Sequence, residues 1–240
     1  MAHAIEGIEP RKPVTQLVAD EITSWITSGR YRPGDHLPPE GELAKQFGVS
    51  KPSVRESLRQ LVAFGAIEIT HGRPPTVKAM NSEPLINFFH LAVTPESGGL
   101  KEAVELRRAL EAQSVLLATQ RATKEDLAQL DAIVKRLDIH KADFAKWVPE
   151  HVDFHLALVK ASHNRFFSFL VDALKDTIEK TNRMILAAQP NRNPDQAFAR
   201  HLAIYEAVRS RDVEKARAAI EKHFEAVDKV LASSLPESKS

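Results

Sequence analysis

Apolar residues recur along this chain at two different periods, and the change between them divides it. In residues 14–29, VTQLVADEITSWITSG, Leu17, Val18, Ile22, Trp25 and Ile26 fall at helical spacing, and Gly29 is placed to end the helix. YRPGDHLPP follows as a loop, with turn formers at Pro33, Gly34, Pro38 and Pro39. A short helix over 39–48 closes at Gly48. Ser50 caps a third helix over 51–65, with Pro52 in its first turn, where a missing N–H costs nothing. Val54, Leu58, Leu61 and Val62 form its apolar stripe. The period then shortens: AIEIT alternates as a strand does, HGRP turns, and PTVKAM returns as a second strand. Helix, helix, turn, helix, hairpin predicts a winged helix-turn-helix over residues 1–80.

Residues 81–99 hold Pro84, Pro95 and SGG and are expected to be a linker with one short helix over 84–93. From 100 onward the helical period is unbroken, giving helices over 100–121, 124–138, 141–147, 149–162, 165–188, 194–210 and 212–233. Thr123, Asn164 and Asp212 are expected N-caps, and Pro149 suits a first turn. The fold class is therefore mainly α: a winged helix-turn-helix followed by an antiparallel bundle of six or seven helices over 100–233. The tail 234–240 is expected to be disordered.

Composition narrows the function. The 240 residues include no cysteine, which excludes disulfides, thiolate zinc fingers and cysteine nucleophiles. MAHAIEGIEPRKPVTQ lacks a signal-peptide apolar segment, and no apolar run approaches the roughly 18 residues of a membrane span, so a cytoplasmic protein without membrane contact is expected. The formal net charge is +1, and residues 1–80 carry ten Lys and Arg against nine Asp and Glu. Any grip on nucleic acid must therefore come from locally placed charge. Lys51, Arg55 and Arg59 supply it, spaced by four beside the apolar stripe of the third helix, with Ser53 between them. They suit phosphate contacts, and Arg55 suits a guanine edge. The same stripe also fits a solvated basic face.

The second candidate chemistry is a histidine quartet. His151 and His155 lie four residues apart, on one helical face, and His201 and His223 lie on two later helices. Four neutral imidazoles enclosing a divalent ion suit zinc, nickel, cobalt, copper or iron(II). They leave the ion its full charge, so an anionic carboxylate is the natural partner. A metalloenzyme and a purely structural metal are the alternatives. Against the enzyme, Asp153 faces away from both histidines of its helix, and the first 80 residues go unexplained. No catalytic residue is assigned.

The stretch GRYRPGDHLPPEGELAKQFGVSKPSVRESLRQLVAFGAIEITHGRPPTV resembles the DNA-binding domain of the GntR family of bacterial regulators. Its markers are PGD-x-L-P-x-E, ELA, the GVS turn, VRE-x-L and L-x-x-x-G-x-I. The resemblance implies a homodimer on a palindromic operator, with Lys51, Ser53 and Arg55 in the major groove and His71 and Gly72 at a wing tip in the minor groove. Lys51 replaces the usual Arg, Gly41 stands where the family often has Arg, and the HGRP wing departs from the commoner glycine-rich one. ELRRALE (105–111), FHLALVKASHN (154–164) and HLAIYEAVRSRDVEKARAAIEKH (201–223) resemble the FCD effector domain of the FadR-type branch. That resemblance implies a metal held by His151, His155, His201 and His223, with His151 where Asp is usual. One negative charge fewer favours zinc or nickel over manganese. It also implies a small organic or sugar acid as effector and repression relieved by its binding. Arg107 either grips that carboxylate or pairs with Glu111. Asn164 is a helix cap before it is a ligand contact, and Asn182, Arg183 and Tyr205 are further candidates to line the cavity.

Overall fold

The computed structural model describes residues 12–93, 99–188 and 193–234. The expected tail lies outside them from 235 onward, as do parts of the expected linker (94–98) and of the QPNRNPD segment (189–192). The chain divides into two compact units between Pro84 and Leu85.

The first unit holds α1 (Val14–Thr27), α2 (Glu40–Phe47), α3 (Lys51–Ala63), β1 (Ile67–Glu68) and β2 (Thr76–Val77). Ser50 Oγ accepts from Ser53 N at 3.2 Å and starts α3. Gly48, at φ 67°, makes the left-handed turn between α2 and α3 that a Cβ would strain. Ile22, Trp25, Leu37, Leu43, Val54, Leu58, Ile67 and Val77 pack into one core. Two apolar positions differ from expectation: Leu17 is 52% and Val62 41% exposed. The buried stripe of α3 runs through Ser57 instead, whose hydroxyl donates to Thr15 O at 2.7 Å and so enters the core satisfied. The wing strands are shorter than AIEIT and PTVKAM suggest. They pair antiparallel, Ile67 with Val77 and Glu68 with Thr76, and His36 bridges the other side of Thr76.

α4 (Glu83–Ala92) begins two residues before the boundary between the units, and the second unit continues as helices: α5 (Gly99–Arg121), α6 (Lys124–His140), α7 (Phe144–Ala161), α8 (Arg165–Ala173), α9 (Lys175–Ala188), α10 (Pro194–Arg209) and α11 (Val213–Ser234). Thr123 forms a full capping box with Asp126, Asn164 accepts from the backbone of Phe166 and Phe167, and Asp212 accepts from Lys215 N at 3.0 Å. Pro149 does not start a helix. It sits inside α7, which Asp143 caps, so the two helices expected over 141–162 are one. Trp147, Val148, His151 and Val152 are all buried around it, and that burial outweighs the backbone bond a proline forfeits. The helix expected over 165–188 is two. It breaks at the buried Leu174, whose N–H is shared between the carbonyls of Leu170 and Val171.

α5 and α7 pack against each other, α11 and α10 lie against α5, and α6 flanks α7 and α10. The main core runs through Val115, Leu130, Phe154, Leu158, Ile204, Val208, Ile220 and Phe224. Arg211, at φ 60°, turns the chain into α11 and donates to Thr119 O at 3.1 Å and Ala122 O at 2.5 Å. Its guanidinium thus satisfies carbonyls at the C-terminal end of α5, where a cation is favoured. Arg211→Ala is expected to cost about 1–3 kcal/mol, read as a lower urea midpoint. An unchanged midpoint would reject the capping role.

Candidate metal centre

His151 and His155 stand one turn apart on α7 and face His201 of α10 and His223 of α11. All four are buried, and one ring nitrogen from each lies within 4.8 Å of the others. Ring centroids are 4.5 Å apart for His151 and His155, 4.7 Å for His151 and His201, and 4.8 Å for His201 and His223. Trp147 packs 4.6 Å from the His151 ring, and Phe154 and Phe224 close the sides with edge contacts to His201 and His223.

The outward nitrogens of two rings have hydrogen-bond partners, and that of a third lies in ionic contact with a carboxylate. His155 Nδ1 lies 2.6 Å from Glu111 Oε2, His201 Nδ1 donates to Ala197 O at 2.7 Å, and His151 Nδ1 is 2.8 Å from the Asn182 amide. With Nδ1 protonated, His155 and His201 each present an Nε2 lone pair to the cluster. For His151 the amide decides. When Asn182 donates, His151 carries its proton on Nε2, 3.2 Å from His155 Nε2. Turning the amide end for end moves that proton to Nδ1 and frees the Nε2 lone pair. His201 Nε2 and both His223 nitrogens are buried with no hydrogen-bond partner. Each such group costs about 1–3 kcal/mol, so an apolar core has no use for this arrangement, whereas a metal ion would take up His201 Nε2 and one nitrogen of His223. Imidazoles oriented by carboxylate, carbonyl and amide partners are what metal ligation requires. The residues fit a divalent ion.

Burial, reinforced by the neighbouring rings and the Arg107 guanidinium, holds the imidazoles of His151 and His223 well below their ordinary pKa and that of His201 at about 3. His155 is lowered by burial, against the opposing pull of Glu111. The rings are therefore neutral and able to donate lone pairs. Burial would raise the Glu111 carboxyl, but Arg107 and His155 outweigh it and hold it at about 2.

Arg107 and Glu111, on α5, form a buried pair with Nε 2.5 Å from Oε1. The pairing leaves Arg107 Nη2 buried and without a partner. Glu111 was visible in the sequence only as a companion of Arg107. The overlooked signal is that an Arg and a Glu hold consecutive places in the buried stripe Val104, Arg107, Glu111, Ser114 and Ala118. Asn182, rather than its neighbour Arg183, meets the cluster, since successive helical residues point about 100° apart. Arg183 is exposed and paired with Glu179. Asn164 spends its carbonyl on capping α8, and Tyr205 donates to Asp131 Oδ1 at 3.1 Å.

On α3, Lys51, Arg55 and Arg59 are exposed, and Ser53 Oγ lies 2.8 Å from Ser50 Oγ. Arg55 is forked onto Glu40 and Arg59 lies 3.5 Å from Glu56. His71 and Gly72 are exposed at the wing tip, Gly72 at φ 75°.

A winged helix-turn-helix unit followed by a helical unit is the layout of a DNA-binding transcriptional regulator. Residues 14–77 match the family described as bacterial regulatory proteins, gntR family, and residues 102–226 match the FCD domain. The chain is 30% identical over 223 residues to the HTH-type transcriptional repressor NanR of Klebsiella aerogenes, covering 90% of this chain and 85% of the relative. It is 29% identical to NanR of Cronobacter sakazakii over the same shares. In fold it is similar to Streptococcus agalactiae GntR, with a TM-score of 0.70, 24% identity and coverage of 90% of this chain and 99% of that one. The chain belongs to the GntR family, in its FadR-type branch with an FCD domain. It is a transcriptional regulator, not an enzyme, and no helix among the described residues is long and apolar enough to cross a membrane.

The lowered imidazole pKa values set a direction with pH. Below about 6.5 the unfolded chain binds protons that the folded histidines refuse, so the stability from neutral burial is complete above 6.5 and is lost as pH falls toward the folded values. Glu111 adds a loss below 4.5. The thermal midpoint of chelator-treated protein is expected to fall steadily from pH 6.5 to 4.5. A flat profile would contradict neutral burial of the cluster.

Proposed function

We propose that this chain is a cytoplasmic repressor whose homodimer releases a palindromic operator when a small organic or sugar acid binds beside a divalent metal. Residues 1–80 serve as the DNA reader and 100–233 as the sensor. The observation that carries the reading is the buried quartet, in which Glu111, Ala197 O and Asn182 orient three of the four imidazoles. His151, His155, His201 and His223 would hold the ion, and their neutral nitrogen donors favour zinc or nickel. When bound, the metal supplies a cationic centre and open coordination positions for an anion. Glu111 is already matched by Arg107 and His155 and leaves that charge uncompensated. Arg107 Nη2 is a buried donor without a partner and would suit a carboxylate, with the guanidinium held in place by the Nε contact to Glu111. Asn164, Arg183 and Tyr205 have other partners and enter the effector site, if at all, only after those are exchanged.

At the other end, α3 enters the major groove. Lys51, Ser53 and Arg59 suit phosphates, Arg55 suits a base edge, and His71 and Gly72 suit the minor groove. The printed description of the NanR relatives as repressors supports that sign of control. Coupling of about 1–3 kcal/mol between sensor and reader would change operator affinity roughly 5- to 150-fold.

Glu111→Gln keeps an acceptor for His155 and removes the charge, so zinc affinity, measured by competition with a chromophoric chelator, is expected to fall about 10- to 100-fold. Unaltered affinity would deny the carboxylate its role at the metal. His201→Ala, or chelation, is expected to abolish the effector response while operator binding persists. A full response in that variant would leave the metal a purely structural part.

A further inference from the structure

The first unit holds an anion where a DNA-binding face ordinarily carries cations. Glu40 is the first residue of α2, and its carboxylate takes three contacts from Arg55: Nε to Oε1 and to Oε2 at 3.2 Å, and Nη2 to Oε2 at 2.9 Å. Both partners are partly exposed, the guanidinium 53% and the carboxylate 30%. The Arg55 hydrogen bonds lower the Glu40 pKa, with smaller help from the charges of Lys51 and Arg59. Beside it, Gly41 has no side chain. A Cβ there would lie 3.5 Å from Lys51 Cε and 3.7 Å from its Nζ, so the Lys51 side chain runs over the glycine next to Glu40.

Two consequences follow from this geometry. A guanidinium forked onto a fixed carboxylate is held in one orientation, so less freedom is lost when its remaining edge meets a base. A guanidinium already neutralised also gains little from an arbitrary phosphate and releases few counterions there. Unselected DNA therefore has to separate Arg55 from Glu40 and bring its own phosphates toward the carboxylate. A cognate base can be read without breaking the fork. We propose that Glu40 is a specificity-determining positioning residue: it withholds Arg55 from the backbone of non-cognate DNA and presents it to the base edge of the operator. Glu56 carries the same charge but pairs with Arg59, so it supplies the control.

The inference rests on α3 being the groove helix, and the experiment separates the two. Binding of the full chain to a random-sequence duplex, and to the duplex it enriches from a random pool, is measured across a salt series for wild type, Glu40→Gln, Glu56→Gln and Arg55→Ala. Glu40→Gln is expected to tighten binding to the random duplex, steepen its salt slope by about 0.9, and cut the specific-to-random ratio roughly tenfold. Glu56→Gln is expected to keep the wild-type ratio. A wild-type slope and ratio in Glu40→Gln would reduce the pair to a staple between α2 and α3. An equal fall in Glu56→Gln would reduce the effect to bulk charge. Either result overturns the proposal, and a wild-type ratio in Arg55→Ala overturns the groove-helix reading beneath it.

Discussion

A carboxylate shut away from water has to be matched by positive charge or hydrogen-bond donors, and Glu111 organises the helical unit around that demand. One of its oxygens meets Arg107 and the other meets His155. The pair is no source of net stability, because removing two charges from water costs about what their attraction returns. Its consequence is positional. Glu111 lies against His155 Nδ1 and draws Arg107 into the core, while burial first, and the Arg107 guanidinium after it, depress the basicity of all four rings. The quartet thus stays neutral, and its lone pairs stay available to an ion.

The helix arrangement serves the same end. α5 brings Arg107 and Glu111, α7 brings two imidazoles, and α10 and α11 bring one each, with the packed rings of Trp147, Phe154 and Phe224 between them. Pro149 is tolerated inside α7 because residues on both sides of it are locked into that packing. Capping by Arg211 ties the start of α11 to the end of α5, so the helices that carry Glu111 and His223 share a fixed junction.

The DNA-reading unit works by exposure instead of burial. Its cations stand in water, where single ion pairs are worth about 0–1 kcal/mol. Their importance lies in where they point, and Glu40 governs that for Arg55. Both units thus use a carboxylate to hold an arginine in one orientation, buried on α5 and at the surface between α2 and α3.

Much of this was legible without coordinates. Period changes placed the winged helix-turn-helix and the helical unit, and Ser50, Thr123, Asn164 and Asp212 cap the helices they were expected to start. The i, i+4 spacing of His151 and His155 fixed their common face. Local patterning failed where neighbours far along the chain decide the outcome. It broke α7 at Pro149, joined α8 to α9 across Leu174, and placed Val62 in the core in place of Ser57. It also left Asn182 and Arg183 level as candidates, and it offered the Arg107–Glu111 pair without revealing that both residues are buried. Sequence alone determined which residue types recur on which helical face, because that depends on period and local propensity. Tertiary structure alone decided which faces meet, because the second partner of a buried polar group lies tens of residues away, and only packing shows whether it is there.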